Sequence, residues 1–254
     1  MIGRATMPNI RRFPPKSFLD QARRDWQFAA FAWLLRNGGG YPKFLETELV
    51  LPTEEFFPEH AMSGHAGVLD IFRRVREHAG MSDWPCAVEP DPRVDRPRLS
   101  GANSTPVIRY RPDSLAPTCL VATFARELAR YYTETFAEDA PGGDTLAEPA
   151  LEVAAVYMGF GVFMANSALA TAAHAAGGVE IAYALNEGEL AHALAIFCLL
   201  RKVPPSAADA FLNPHLRKYL RLATRDLAQH AASFQALRSV FPGTLLDAAR
   251  PHSS

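Results

Sequence analysis

The feature that most constrains the fold of this chain is a long stretch without a charged side chain. From Val153 to Val179 the sequence contains no Asp, Glu, Lys or Arg. A segment of this length and composition is expected to be buried away from water, in either a protein interior or a lipid bilayer. It is rich in Ala and Gly, contains Asn166, and has no Lys or Arg close to either end, whereas membrane spans are usually flanked by such residues. We therefore predict a buried core helix and no membrane association.

The overall composition is that of an ordinary globular protein. Of the 254 residues, 48% are hydrophobic and 21% are charged. The 26 basic and 27 acidic residues give a formal net charge of −1, which argues against a nucleic-acid partner because such proteins usually carry a basic excess. Only four of the basic residues are lysines, so 26 − 4 = 22 are arginines. Guanidinium groups tolerate burial beside carboxylates better than ammonium groups do.

The cysteines and the N-terminal sequence favour a cytoplasmic protein. Cys86, Cys119 and Cys198 are widely spaced and odd in number, so they predict neither a disulfide framework nor a C-x-x-C metal site. The first residues contain charges and prolines but no apolar run of the kind that a secretory signal requires.

Periodicity and helix-breaking residues divide the chain into short strands followed by longer helices. The predicted helices are Phe18–Arg36, Ala66–His78, Pro117–Phe136, Leu146–Ala173, Glu187–Leu200 and Ala207–Val240. The predicted strands are Leu45–Leu51, Cys86–Val88 and Thr105–Tyr110, and a loop rich in Pro, Arg and Asp covers 89–104. This order predicts an α+β fold, predominantly helical with a small N-terminal sheet.

We divide the chain into three parts. Residues 1–17 form an N-terminal arm, because their prolines prevent regular structure. Residues 18–180 form the main domain, and residues 181–245 form a helical C-terminal extension that packs on the same domain.

Two neighbouring predicted helices carry the charged residues that are most informative about function. The first contains Arg126, Glu127 and Arg130, and the second opens with Glu148 and Glu152. The two arginines lie four residues apart, as do the last two glutamates, so each pair shares one face of its helix.

These helices resemble those of gluzincin-type zinc metallopeptidases. In that family H-E-x-x-H supplies two zinc ligands and a general base, and a second helix with E-x-x-x-D supplies a Glu ligand and a carboxylate that orients the first histidine. The present chain has R-E-L-A-R and then E-P-A-L-E. Together with stretches such as L-V-L-P-T-E-E-F-F-P and A-G-M-S-D-W-P, this is similar to a set of uncharacterised bacterial proteins with an intact H-E-L-A-H. The resemblance extends from about Trp26 to Leu220.

The resemblance implies a zincin-like fold whose metal centre has been lost. Arg126, Arg130 and Glu148 stand at the former ligand positions, Glu152 stands behind them, and Glu127 has the family position of the general base. A guanidinium has no lone pair to donate to a metal, so we predict no metal and no other cofactor. Without a metal-bound water, Glu127 would be only a vestigial base.

Two arginines bring the same formal charge as a zinc ion. By family position Arg130 would approach Glu148 and Arg126 would approach Glu152, which predicts an internal arginine–glutamate network that replaces zinc. The alternative is an ordinary solvated helix face with weak pairs between neighbouring residues.

The leading functional interpretation is a catalytically inactive, metal-free zincin-like protein that binds a protein or peptide partner in the former cleft. A second interpretation is an enzyme of non-peptidase chemistry, in which Arg126 and Arg130 bind an anionic substrate and Glu127 is the acid or base. A third, an active metalloenzyme with displaced ligands, ranks lowest. Arginines saturated by internal carboxylates favour the first, and open guanidiniums favour the second.

Several other residues have a structural and a functional interpretation. Gly188–His192 (G-E-L-A-H) imitates half of the zinc motif but is best explained as a helix start, and His60 and His65 fall in a predicted surface loop. We expect Asn166 to be a hydrogen-bonding residue of the core and Tyr132, with its neighbour Tyr131, to serve packing.

Overall fold

The computed structural model describes residues 17–58, 64–94, 98–101, 105–111, 116–173 and 184–242. This part of the chain is mostly helical with a small sheet, so the α+β class predicted from the sequence is confirmed. The helices are α1 (Gln21–Asn37), α2 (Gly40–Phe44), α3 (Gly64–His78), α4 (Pro117–Thr133), α5 (Ala147–Ala155), α6 (Gly161–Ala173), α7 (Glu187–Arg201), α8 (Ser206–Asp209), α9 (Pro214–Leu227) and α10 (Ala231–Arg238). The predicted N-terminal arm, apart from residue 17, lies outside the described residues.

Local capping residues explain where the main helices begin. Helix α1 follows Asp20, whose carboxylate accepts a hydrogen bond from the backbone N–H of Arg23 at 2.9 Å. Helix α4 has Pro117 in its first turn, where no intrahelical N–H donor is needed. Helix α7 begins with a reciprocal capping box between Asn186 and Glu189.

The sheet has three strands: β1 (Ala87–Pro90), β2 (Arg98–Ser100) and β3 (Val107–Tyr110). Strand β3 is central, parallel to β1 and antiparallel to β2. Its Ile108 is fully buried and is in register with Val88 of β1 and Leu99 of β2. One side of β2 is therefore an edge of the sheet, and this strand packs against α4.

The charge-free stretch lies in the core from Val153 to Ala165. Every residue from Leu151 to Ala165 is buried, and α4 packs against α5 and α6 while α7 packs against α6 and α9. Within the described residues, one helical stretch, Gly143–Ala168, is long and apolar enough to cross a membrane, but 78% of its most apolar window is buried inside the protein. Such burial is that of a core helix in a soluble protein.

The predicted helix Leu146–Ala173 is not continuous. Between α5 and α6 the chain forms a wide turn, Val156–Phe160, in which Gly159 has φ 99°. A methyl group at this glycine would lie 2.1 Å from the carbonyl oxygen of Glu48, so the residue also allows a close approach of two backbones. The backbone N–H of Val50 donates to the Gly159 carbonyl at 3.0 Å.

Three further predictions about elements were wrong. Leu45–Leu51 is not a strand: the chain forms a turn and then an irregular segment, with Val50 bonded to the turn between α5 and α6. Ala207–Val240 is divided into α8, α9 and α10, and Pro214, which has no N–H donor, begins α9. Strand β2 falls inside the stretch that we predicted as a loop, because three residues are too few for a sequence pattern.

Candidate functional site

The arginines of α4 and the glutamates of α5 form one cluster. Helix α4 is buried on all sides from Leu120 to Ala129, which brings the charged side chains of Arg126 and Glu127 into the interior. Helix α5 packs against α4 and presents Glu148 and Glu152 to it. The five charged residues that the sequence singled out are therefore in contact.

Arg126 lies at the centre of the cluster with only 6% of its surface exposed. Its Nη2 donates to Glu148 Oε2 at 2.5 Å, and its Nη1 lies 3.6 Å from Glu127 Oε1. Its Nε lies 3.5 Å from Glu152 Oε1 but makes no hydrogen bond. The predicted approach of Arg126 to Glu152 is confirmed, but the shortest contact of Arg126 is with Glu148.

Arg130 lies one turn further along α4, with its side chain 21% exposed. Its Nη2 lies 3.1 and 3.2 Å from the two carboxylate oxygens of Glu148, and its Nε lies 3.4 Å from Glu127 Oε2. Partial burial acts to lower the pKa of Arg130, but the charges of Glu127 and Glu148 outweigh it, so the pKa is raised. The predicted pairing of Arg130 with Glu148 is confirmed.

Glu127, which has the family position of the general base, is bonded within the protein. Its exposure is 2%, and its Oε2 accepts a hydrogen bond of 2.9 Å from the backbone N–H of Leu99. The same oxygen accepts the weaker bond from Arg130. Leu99 is the middle residue of the edge strand β2, so the Glu127 carboxylate provides the hydrogen-bond acceptor for a backbone N–H group at the edge of the sheet.

Glu152 is completely buried and ties α5 to the segment before α7. Its two carboxylate oxygens accept hydrogen bonds of 2.8 Å each from the backbone N–H groups of Ala184 and Leu185. Burial raises the pKa of Glu152 to about 7, while those two N–H groups and the charge of Arg126 act to lower it. Glu152 is therefore partly protonated near neutral pH. This protonation brings two guanidiniums and three carboxyl groups close to charge balance.

The residues do not fit a zinc centre. Both positions that need a histidine carry a guanidinium, which offers hydrogen-bond donors and no lone pair. Across the described residues, no group of three or more His, Cys, Asp or Glu is arranged to hold a metal ion. Glu148, the one carboxylate at a former ligand position, is instead paired with Arg126 and Arg130.

Two of the three histidines named in the sequence analysis, His65 and His192, have partners unrelated to a metal. Among the described residues, His65 lies in α3 with its Nδ1 2.8 Å from the Tyr110 hydroxyl, whereas His60 falls outside them. His192 is buried, with Nδ1 2.7 Å from Gln27 Oε1. Burial lowers the pKa of His192 to about 3, with smaller contributions from the positive charges of neighbouring residues. It is therefore a neutral core residue.

Two further predictions about polar core residues can be compared with the structure. Asn166 donates to the carbonyl of Phe211 at 2.8 Å and accepts from the backbone N–H of Asn213 at 3.0 Å, which confirms its hydrogen-bonding role, although the residue is half-buried and not fully in the core. Tyr132 packs against Trp84 and Phe136, as expected.

Sequence reasoning missed the backbone donors of the cluster. The N–H groups of Leu99, Ala184 and Leu185 satisfy Glu127 and Glu152, but every residue except proline carries such a group, so no residue type marks them. The available signal was the position of Glu152 at the start of a charge-free helix, which requires buried partners of some kind.

Comparisons with protein-family models, with curated proteins and with solved structures gave no match for this chain. The zincin-like interpretation therefore depends on the residues and contacts described above.

Proposed function

We propose that this chain is a catalytically inactive, metal-free zincin-like protein, cytoplasmic in location, that acts by binding a protein or peptide partner. The observation that carries the proposal is the pairing of both α4 arginines with glutamates at the positions of a zinc centre. In this proposal the arginine–glutamate cluster replaces zinc as the tie between α4 and α5. Glu127 is vestigial, because it is bonded to Leu99 and Arg130 and has no metal-bound water to activate.

The bonding of the guanidiniums supports this proposal over an enzyme that binds an anionic substrate. Arg126 is buried and faces three carboxylates. Arg130 opens onto a cavity of about 270 Å³, but Glu134, Glu138 and Asp139 also line it. Glu138 is paired with Arg36, but Glu134 and Asp139 repel an anion and favour a basic segment of a partner.

Metal analysis tests the proposal. The full chain, purified without a chelator, is expected to contain far less than one zinc per molecule, and the Arg126→His, Arg130→His double variant is expected to gain zinc, because His can ligate it beside Glu148. An Arg73→His variant on the exposed face of α3 controls for adventitious binding. Stoichiometric zinc in the unaltered chain would contradict the proposal.

The alternative function has its own readout. Inorganic phosphate or sulfate should leave the melting temperature unchanged if the two guanidiniums are saturated internally. A rise in melting temperature that is abolished in Arg130→Gln would support anion binding at this site instead.

A further inference from the structure

A second cavity is lined by Tyr132 of α4. It has a volume of about 370 Å³, and none of the five clustered residues lines it. Its walls come from the end of α1, from α2 and the segment after it, from the end of α3, and from the turn between α5 and α6. The lining residues that the argument uses are Phe44, Glu48, Met81, Trp84, Tyr132 and Tyr157.

Two tyrosine hydroxyls meet in this cavity without hydrogen-bond partners in the described part of the protein. Tyr157 has only 4% of its surface exposed, and Tyr132 is half-buried. A methyl group placed on Gly38 would lie 2.7 Å from the Tyr132 hydroxyl and 3.0 Å from that of Tyr157, so both groups converge on this glycine. Because neither hydroxyl is bonded within the described part of the protein, both are available to a polar group that enters the cavity.

The hydroxyls are neutral at physiological pH. Burial raises the pKa of Tyr132 to about 12 and holds the pKa of Tyr157 well above its usual range. Each therefore remains a phenol that can accept a hydrogen bond as well as donate one.

The charges at the mouth of the cavity favour a cation. Three glutamates and one lysine line it, together with His78. Lys43 is paired with Glu46, and Glu77 is paired with Arg73 on the surface of α3. Glu48 is exposed and, among the described residues, has no ion pair, so a carboxylate is available for a positively charged ligand.

The remaining walls suit an alkyl chain. Phe44 and Met81 are almost completely buried, and Trp84, whose indole packs against Tyr132, also lines the cavity. Aromatic faces attract organic cations, and apolar walls bind methylene groups.

We propose that this cavity binds a primary alkylammonium group, with the hydroxyls of Tyr132 and Tyr157 and the carboxylate of Glu48 as acceptors and Trp84 beside the alkyl chain. The ligand is either a free aliphatic amine or a lysine side chain of a polypeptide, since the recognised chemistry is the same. The proposal is independent of the function proposed for the arginine–glutamate cluster.

Calorimetric titration of the full chain at low salt tests this inference. The probes are 1,5-diaminopentane for a free amine, Nα-acetyl-lysine amide for a lysine side chain, and 1-pentanol as a neutral reference. We expect saturable binding of at least one amine and none of the alcohol. The Tyr157→Phe variant, which keeps the ring that stacks on Phe44, should weaken binding by about tenfold or more, as expected for a lost hydrogen bond to a charged group.

Charge variants separate specific recognition from general attraction. Glu48→Gln should weaken amine binding several-fold, whereas Glu54→Gln, which removes an exposed carboxylate outside the cavity, should leave it unchanged. Circular dichroism checks folding, and Tyr132→Phe replaces Tyr157→Phe if the latter does not fold. Absence of saturable binding, equally tight binding of 1-pentanol, or unchanged affinity in both the tyrosine and Glu48 variants would overturn the proposal. The tighter of the two amines identifies the source of the ligand.

Discussion

Replacement of Arg126 by alanine is the sharpest test of the arginine–glutamate cluster. The change removes a side chain that is 6% exposed and that contacts the carboxylates of Glu127, Glu148 and Glu152. Deleting one partner of a buried ion pair typically destabilises a protein by about 3–5 kcal/mol, because the remaining charge is left without compensation.

The surroundings of Arg126 reduce that figure. Glu148 is 48% exposed and regains water when its partner is lost. Glu127 keeps its bond from the Leu99 N–H group, and Glu152 keeps two backbone donors and can take up a proton near pH 7. We therefore expect the free energy of unfolding to fall by about 2–4 kcal/mol at pH 7.5.

The measurement is urea-induced unfolding followed by circular dichroism, with Arg73→Ala as the matched control. Arg73 is also a helical arginine with two carboxylate partners, Asp70 and Glu77, but its side chain is 52% exposed. Exposed pairs of this kind contribute about 0.3–0.5 kcal/mol each. If Arg126→Ala and Arg73→Ala lower the free energy of unfolding by amounts that differ by less than about 0.5 kcal/mol, the cluster is a solvated helix face and the reasoning is refuted.

Two further changes probe the groups around this cluster and the turn after α5. The pKa of Glu152 is about 7 in the folded protein and about 4.5 in the unfolded chain. Between these pH values the folded state binds more protons than the unfolded state. The free energy of unfolding therefore falls as the pH rises through this range, by ~3 kcal/mol in total. Urea unfolding from pH 5 to 8 should therefore show the stability of the unaltered chain falling relative to Glu152→Gln; a constant difference would contradict the assigned pKa. In thermal melts Gly159→Ala should lower the melting temperature far more than Gly80→Ala. Both glycines have positive φ, but only the methyl group at Gly159 would meet a backbone oxygen, that of Glu48 at 2.1 Å. Equal decreases in melting temperature would show that the two backbones separate easily.

Much of the helical framework was predictable because its causes are local. The bounds of α1, α3, α4 and α7 agree with the predictions to within a few residues, since periodicity, capping residues and prolines act within a single turn. The prediction of a strand at Leu45–Leu51 was wrong because Val50 is bonded to the turn at Gly159 and not to a strand.

The members of the cluster were also predictable, but its geometry was not. Their spacing put Arg126 and Arg130 on one face of α4 and Glu148 and Glu152 on one face of α5. Which carboxylate each guanidinium meets depends on how the two helices are rotated against each other, and Arg126 proved to be closest to Glu148.

The sequence by itself determined that Val153–Val179 must be buried away from water and that the carboxylate of Glu152, just before it, needs hydrogen-bond or ion-pair partners. It determined these points because burial of a charge carries a large free-energy penalty wherever it occurs. Only the tertiary structure decided that Glu152 is bonded to the backbone of Ala184 and Leu185, and that Tyr132 and Tyr157 share one cavity. These contacts join segments that are distant along the chain, and no local pattern encodes the packing that brings such segments together.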